Sequence, residues 1–225
     1  MNWQATLEFA RGPFFNAALT FFIAGMLYRL ANVVFLGWTK DLSKPRGSKG
    51  AGILKSFLRG GLIFPFFPRE KKAFTGNPIV YLFGGLFHLS LFVVLVLGAA
   101  HMLVWKNLLG FGWWTLPLPI VDWMAAVGII AMIALLINRM SHPVMKRLSG
   151  AAEFANWTLV FLPMLTGYMM THHMFFRYEV LYSLHMLAID VLLIWLPLSR
   201  ISHFVFYFFS RTIHGVEWGK RGAMP

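Results

Sequence analysis

The sequence predicts an all-α integral membrane protein with five transmembrane helices. Hydrophobic residues make up 58% of its 225 positions, against about 45–50% in a soluble globular domain. Charged residues make up only 12%, and the apolar residues are collected in runs of about 20, the length that a helix needs to cross a bilayer. We therefore expect a single membrane domain over 1–225, in which the sizeable polar segment is a basic loop at 39–76.

Five apolar runs are long enough to be spans. Arg29 interrupts the first run, Pro78 suits the first helical turn of the second, and Pro197 lies inside the fifth. No small-residue cleavage site is evident in the first run, so we expect a span there and not a signal peptide. The runs are about Phe14–Trp38, Pro78–Trp105, Pro119–Asn138, Ala151–Thr171 and Tyr178–Phe209.

The basic residues predict the orientation of these spans. Sixteen of the twenty lysines and arginines lie in 39–76, in 139–147 or in 200–221. These three segments fall on the same side of the membrane when five spans alternate, and lysine and arginine favour the cytoplasmic side. We expect an inner-membrane protein with its N-terminus outside and its C-terminus in the cytoplasm. The net charge of +12 then reflects topology and does not indicate a nucleic-acid surface.

Four histidines lie on two of the predicted spans, His88 and His101 on the second and His185 and His203 on the fifth. An imidazole in hydrocarbon is costly unless it is paired or ligates something. Because these spans must be antiparallel, His88 and His203 share the cytoplasmic depth, and His101 and His185 share the outer depth. The pattern predicts two bis-histidine iron sites. With no cysteine in the chain, any haem would be non-covalently held haem b.

The spacing of the histidines supports this arrangement unevenly. His185 and His203 are eighteen residues apart, which is about five whole turns and puts them on one face of a straight helix. The two histidines of the second span are thirteen residues apart and differ by about 140° in direction. A tilt, a kink at Pro197 or a bend near Gly98 would absorb the difference.

Two stretches carry a resemblance to a known family. Leu184-His185 followed by Leu196–His203 (LPLSRISH) resembles the last helix of the membrane (gamma) subunit of respiratory nitrate reductases, where two histidines eighteen apart are haem ligands. Leu86–His88 resembles that family's second helix, which supplies the two remaining ligands. The spacing of the second-span histidines is wider here, and the first cytoplasmic loop is long. The same cytochrome fold also occurs with heterodisulfide-reductase-like iron–sulfur proteins of sulfate reducers.

The resemblance implies a subunit with two haem b groups and no complete activity alone. It would oxidise quinol near the outer haem and pass electrons through the inner haem to a cytoplasmic iron–sulfur subunit, which serves the catalytic subunit of the same complex. In the heterodisulfide-reductase-like type, electrons could instead run towards quinone. Two alternatives lack haem: a proton relay through the histidines and Asp190, and a plain anchor in the membrane lipid.

Further residues are candidates for supporting roles. Arg200 and Arg29 would pair with haem propionates, or would snorkel to the interface. Asp190, His173 and Lys106 are candidate acceptors for the proton of a quinol hydroxyl. Asp190 is the acidic residue well inside a span, where a carboxylate is expensive, although a structural bond to a neighbouring helix is an alternative role. His173 or its neighbour His172 could also replace His101 as a ligand.

Overall fold

The computed structural model describes residues 2–36, 44–60 and 76–223. This described part is helical and contains no β-strand, which confirms the predicted all-α class. Four of its helices are long and apolar enough to cross a membrane: Trp3–Phe35, Pro78–Leu97, Leu118–Ser141 and Tyr178–Leu198. The remaining predicted span, Ala151–Thr171, forms a 21-residue helix that falls outside this group, because it carries polar residues such as Glu153 and Asn156.

The helices are numbered here in chain order. They are α1 Trp3–Phe9, α2 Phe15–Phe35, α3 Lys49–Leu58, α4 Pro78–Phe92, α5 Ala99–Leu109, α6 Leu118–Ser141, α7 Pro143–Leu148, α8 Ala151–Thr171, α9 Tyr178–Trp195 and α10 His203–Lys220. Short π segments lie at Ala10–Phe14 and Val93–Leu97, and 3-10 turns lie at Leu196–Leu198 and Arg200–Ser202. The chain forms two compact units, Met1–Ala17 with Asn77–Leu192 and Ala18–Gly76 with Leu193–Pro225.

In the first unit, α6 packs against both α4 and α8. Buried Ser90 of α4 donates a hydrogen bond to a backbone carbonyl of α6. A Cβ added at Gly128 of α6 would collide with the side chains of Ser90 and Met164. Trp157 of α8 donates its indole N–H to the carbonyl of Met132 at 2.8 Å. The three helices therefore approach closely because α6 offers a glycine where they cross.

The second predicted span is bent at Gly98. The backbone there is extended (φ −76°, ψ 131°) between the π segment and α5, so the bend expected near this residue is confirmed. The indole N–H of Trp105 donates to the carbonyl of Leu95 at 2.9 Å. Ten residues of straight helix would separate these residues by about 15 Å along the axis, so α5 turns back from α4.

The carbonyls before this bend all find donors. Because an interrupted helix leaves carbonyl groups without intrahelical partners, a bend inside a membrane is tolerated only where they are satisfied. The indole of Trp113 donates to Val96 at 2.8 Å, and the backbone N–H of Leu116 donates to Leu97 at 2.9 Å. Together with Trp105, these bonds stabilise a defined turn at Gly98.

In the second unit, α3 packs closely against α10 through glycines. A Cβ at Gly219 would lie 2.5 Å from the carbonyl oxygen of Ser48 and 2.9 Å from the Cα of Gly52. Helix α3 occupies part of the predicted basic loop 39–76. Segments 37–43 and 61–75, with the predicted basic residues Lys40, Arg69, Lys71 and Lys72, lie outside the described residues.

The fifth predicted run is interrupted where Pro197 stands. Proline removes a helical hydrogen bond and clashes with the preceding turn; accordingly α9 ends at Trp195 and α10 begins at His203. The expected kink at Pro197 is therefore present. The expectation of one straight helix from His185 to His203 is wrong because Pro197 interrupts it, so the count of five whole turns does not apply.

Candidate functional site

His101 and His185 lie side by side in the first unit. Their ring centroids are 6.3 Å apart and their planes are inclined by 61°. His185 is 9% exposed on α9, and His101 lies on α5 just after the bend at Gly98, where the backbone of Val94 is its hydrogen-bond partner. The bend thus brings together two histidines that the sequence assigns to one site.

The ring of His185 is seated on α8. Its Nδ1 lies 3.0 Å from the carbonyl oxygen of Pro163 and 3.2 Å from the hydroxyl of Thr166. Because a carbonyl oxygen only accepts, Nδ1 carries the proton and donates. A Cβ at Gly167 would lie 3.0 Å from Cε1 of the ring. These three α8 residues orient the imidazole so that Nε2 is the nitrogen suited to a metal.

The separation of the two rings fits coordination to one metal. A metal–imidazole bond is about 2 Å and a ring nitrogen lies about 1.1 Å from its ring centre, so two opposed imidazoles have centroids about 6.2 Å apart. The 6.3 Å between the centroids of His101 and His185, with the ring planes inclined by 61°, is close to this value and is also typical of an edge-on contact between two rings. Two imidazoles are too few for a zinc ion, which takes four ligands. A haem iron takes four nitrogens from its porphyrin, so two imidazoles would be enough to hold it.

A cluster of three or more His, Asp or Glu side chains that could hold a bare metal ion is absent from residues 2–36, 44–60 and 76–223.

His88 and His203 are also anchored through Nδ1. His88 lies in the first unit, with its Nδ1 2.6 Å from the carbonyl of Gly84, and His203 lies in the second, with its Nδ1 3.1 Å from the carbonyl of Arg200. Both side chains are exposed. Since a metal-ligating histidine commonly donates its other N–H to a backbone carbonyl, these two residues have the orientation expected of ligands.

The two candidate propionate partners are placed differently. Arg29 donates from Nη1 to the carbonyls of Pro197 (3.0 Å) and Ser199 (2.9 Å). Its guanidinium lies 5.3 Å from the centre of the Phe206 ring. Arg29 therefore stabilises the interruption between α9 and α10 by satisfying its carbonyls. Arg200 is exposed at the start of the second 3-10 turn. A propionate role for either arginine stays a prediction.

Asp190 is fully buried, and neither carboxylate oxygen has a hydrogen-bond partner in the described part of the chain. It follows Ser183 by seven residues, so both lie on one face of α9. Ser183 donates to the carbonyl of Trp3 in α1 at 3.2 Å. His185 instead faces α8. Asp190 therefore points away from the contact between His185 and α8.

The other predicted proton acceptors are exposed. Lys106 lies in the last turn of α5. His173 follows α8 in the left-handed region, with φ 51°. Its neighbour His172 places Nε2 3.9 Å from Oδ2 of Asp122, in a groove of about 340 Å³. The sequence prediction used His172 only as a substitute ligand and did not single out Asp122.

Sequence reasoning also missed the α8 residues that contact His185. Pro163, Thr166 and Gly167 lie within a turn and a half of one another on α8. A proline inside an apolar helix, followed one turn later by threonine and glycine, is a signal of an unusual helix face. The sequence alone does not say which histidine that face meets, because the contact joins two different helices.

Comparisons with known proteins give a full-length relative. No family model matches the chain, and no solved structure matches it. The chain is 26% identical over 221 residues to a protein of Nitratidesulfovibrio vulgaris, an alignment that covers 96% of this chain and 95% of that protein. The similarity therefore extends over nearly the whole of both proteins.

Proposed function

We propose that this chain is the di-haem b membrane subunit of a larger oxidoreductase. It exchanges electrons between the membrane quinone pool and a cytoplasmic iron–sulfur subunit, in the manner of the nitrate reductase gamma subunit. Quinol would be oxidised near the outer haem, and its electrons would pass inward. The observation that supports this most is the 6.3 Å separation of the His101 and His185 rings, which would let both imidazoles hold one iron.

The chain's own residues would hold and orient the two cofactors. His101 and His185 would hold the outer haem, and the sequence pattern assigns His88 and His203 to the inner one. The haem iron supplies one-electron oxidation and reduction. The carbonyl of Pro163, 3.0 Å from Nδ1 of His185, fixes the tautomer of that ligand and raises its basicity.

The basic segments would face the cytoplasm of an inner-membrane protein, with the N-terminus outside and five spans. Sixteen of twenty basic residues then lie on the side where the iron–sulfur and catalytic subunits dock. In a heterodisulfide-reductase-like complex the same subunit would reduce quinone, with the electrons running outward. Both directions use the same ligands.

Haem content tests the proposal directly. The protein purified from membranes should contain two haem b per chain, measured by the pyridine haemochrome spectrum. His101→Ala and His185→Ala should each lose about one of the two haems, since each removes an axial ligand. His214→Ala is the matched control, because His214 is exposed on α10. A folded, colourless wild-type protein would refute the proposal and leave a haem-free proton relay through Asp190 as the better account.

A further inference from the structure

A groove lies where the start of α6 meets the end of α8 in the first unit. Its volume is about 340 Å³, within the range of about 300–1,000 Å³ typical of small-molecule sites. Its walls are mostly apolar and aromatic, and one acidic and one imidazole side chain enter it. The lining residues are Leu118, Pro119, Asp122, Trp123, Ala126, Tyr168 and His172.

The polar pair in this groove is spaced to share a hydroxyl group. Nε2 of His172 and Oδ2 of Asp122 are 3.9 Å apart, which is too far for a direct hydrogen bond. One oxygen placed about 2.8 Å from each atom would bridge them. Their side chains are 39% and 27% exposed, so a ligand can reach both. A hydroxyl that donates to the carboxylate and accepts from the imidazole fits this arrangement.

The remaining walls suit a flat aromatic ring. The ring of Tyr168 packs on that of His172, with centroids 4.4 Å apart. Trp123 is 74% exposed and stands one residue after Asp122. Aromatic side chains favour stacked or edge-on contacts with other rings. The groove therefore combines a hydroxyl-binding pair with surfaces for an aromatic headgroup.

The groove is close to the histidine pair along α8. Gly167 lies against the ring of His185, and His172 is five residues further, about 7.5 Å along the helix axis. At the start of α6, the side chain of Val121, next to Asp122, lies 3.4 Å from a Cβ built at Gly98. The groove therefore shares α8 with the contact to His185 and shares α6 with the contact to the bend at Gly98.

We propose that this groove binds the headgroup of a membrane quinol, with Asp122 and His172 holding one hydroxyl. This inference rests on the proposed function, because it takes the ferric haem at His101 and His185 as the electron acceptor. Oxidation of the quinol releases two protons and two electrons. The Asp122–His172 pair would take the proton of the bound hydroxyl, and the proton of the second hydroxyl would pass to water at the open side of the groove. The two electrons would pass one at a time to the ferric haem. This pair replaces Asp190, His173 and Lys106 as the first proton acceptor.

Binding of a fluorescent hydroxyquinoline N-oxide, a quinol analogue, to the purified protein tests the groove. Asp122→Asn and His172→Gln should each raise the dissociation constant about tenfold or more, since the first removes the charged acceptor of the bound hydroxyl and the second removes the imidazole that donates to it. Trp123→Leu should weaken binding without changing the polar pair. Exposed His214 gives the control, and His214→Gln should bind like the wild type.

Haem content of the same samples separates the two proposals. Variants that keep both haems and still bind the analogue with wild-type affinity would overturn the groove assignment and leave the haem proposal standing. Weakened binding in Asp190→Asn, with Asp122→Asn unaffected, would also overturn it. A wild-type protein without haem would refute the proposed function, while the titration would still report whether the groove binds the analogue.

Discussion

Gly167 determines how closely the ring of His185 can approach α8. A Cβ at this position would lie 3.0 Å from Cε1 and 3.3 Å from Nδ1 of the imidazole. Gly167→Ala should therefore displace the imidazole of His185 by a few tenths of an ångström, and Gly167→Val should displace it further. We expect a shifted midpoint potential for one haem in the first variant and loss of that haem in the second, measured by redox titration.

A glycine in the π segment Ala10–Phe14 supplies the control for that experiment. A Cβ at Gly12 meets nothing within 4 Å, so Gly12→Ala should leave both haem potentials unchanged. If Gly167→Val kept two haems with wild-type potentials, the contact of His185 with α8 would not orient a haem ligand.

Asp190 should reduce the stability of the protein. Its carboxyl group is fully buried and both oxygens are unpaired among the described residues. Burying a polar group without a partner costs about 1–3 kcal/mol. Asp190→Leu should raise the free energy of unfolding by a comparable amount, measured by circular dichroism during thermal unfolding in detergent. Glu8→Gln, at an exposed position of α1, should have no such effect. A marked loss of stability in Asp190→Leu would contradict the claim that this carboxyl group destabilises the protein.

The bend between α4 and α5 depends on donors from outside the bend. Trp113 donates to the carbonyl of Val96 at 2.8 Å, so Trp113→Phe leaves that carbonyl without its donor. The expected cost is about 1–3 kcal/mol in unfolding free energy, together with weaker haem binding at His101. Trp114 is 68% exposed, and Trp114→Phe is the matched control. Equal thermal stability of the two variants would show that the indole bond does not support the bend.

The sequence predicts where these helices are interrupted and not what stabilises the interruptions. The spacing of the second-span histidines predicts a tilt, a kink at Pro197 or a bend near Gly98, and the proline and the glycine are local signals for the last two. The bonds from Trp113 to Val96 and from Arg29 to Pro197 join residues distant along the chain. Composition and periodicity carry no information about such contacts.

For the candidate site, too, the sequence predicts which residues pair but not the contacts that orient them. The alternation of spans is enough to pair His101 with His185, because it determines depth in the membrane. It does not determine which faces of neighbouring helices meet. The contact of His185 with Gly167 and the approach of Asp122 to His172 both depend on how α8 packs. They are therefore visible only in the folded chain.

The orientation of the protein depends on whether α8 crosses the membrane. Five spans place the termini on opposite sides, and four spans place them on the same side. The basic residues favour five, whereas Ala151–Thr171 is less apolar than the four helices that have the composition of a span. Because the chain contains no cysteine, single cysteines can be introduced and labelled without background.

Labelling of intact cells with a membrane-impermeant maleimide therefore tests the topology. Phe176→Cys, between α8 and α9 at a position 56% exposed, should react from outside. Lys44→Cys and Ala223→Cys, both at exposed positions, should react only after the membrane is permeabilised, and this requirement is the internal control. If α8 does not cross the membrane, Lys44→Cys and Ala223→Cys give different results. Lys44→Cys stays protected, Ala223→Cys reacts from outside, and Phe176→Cys is protected. That outcome would place the C-terminus outside and would contradict the five-span topology.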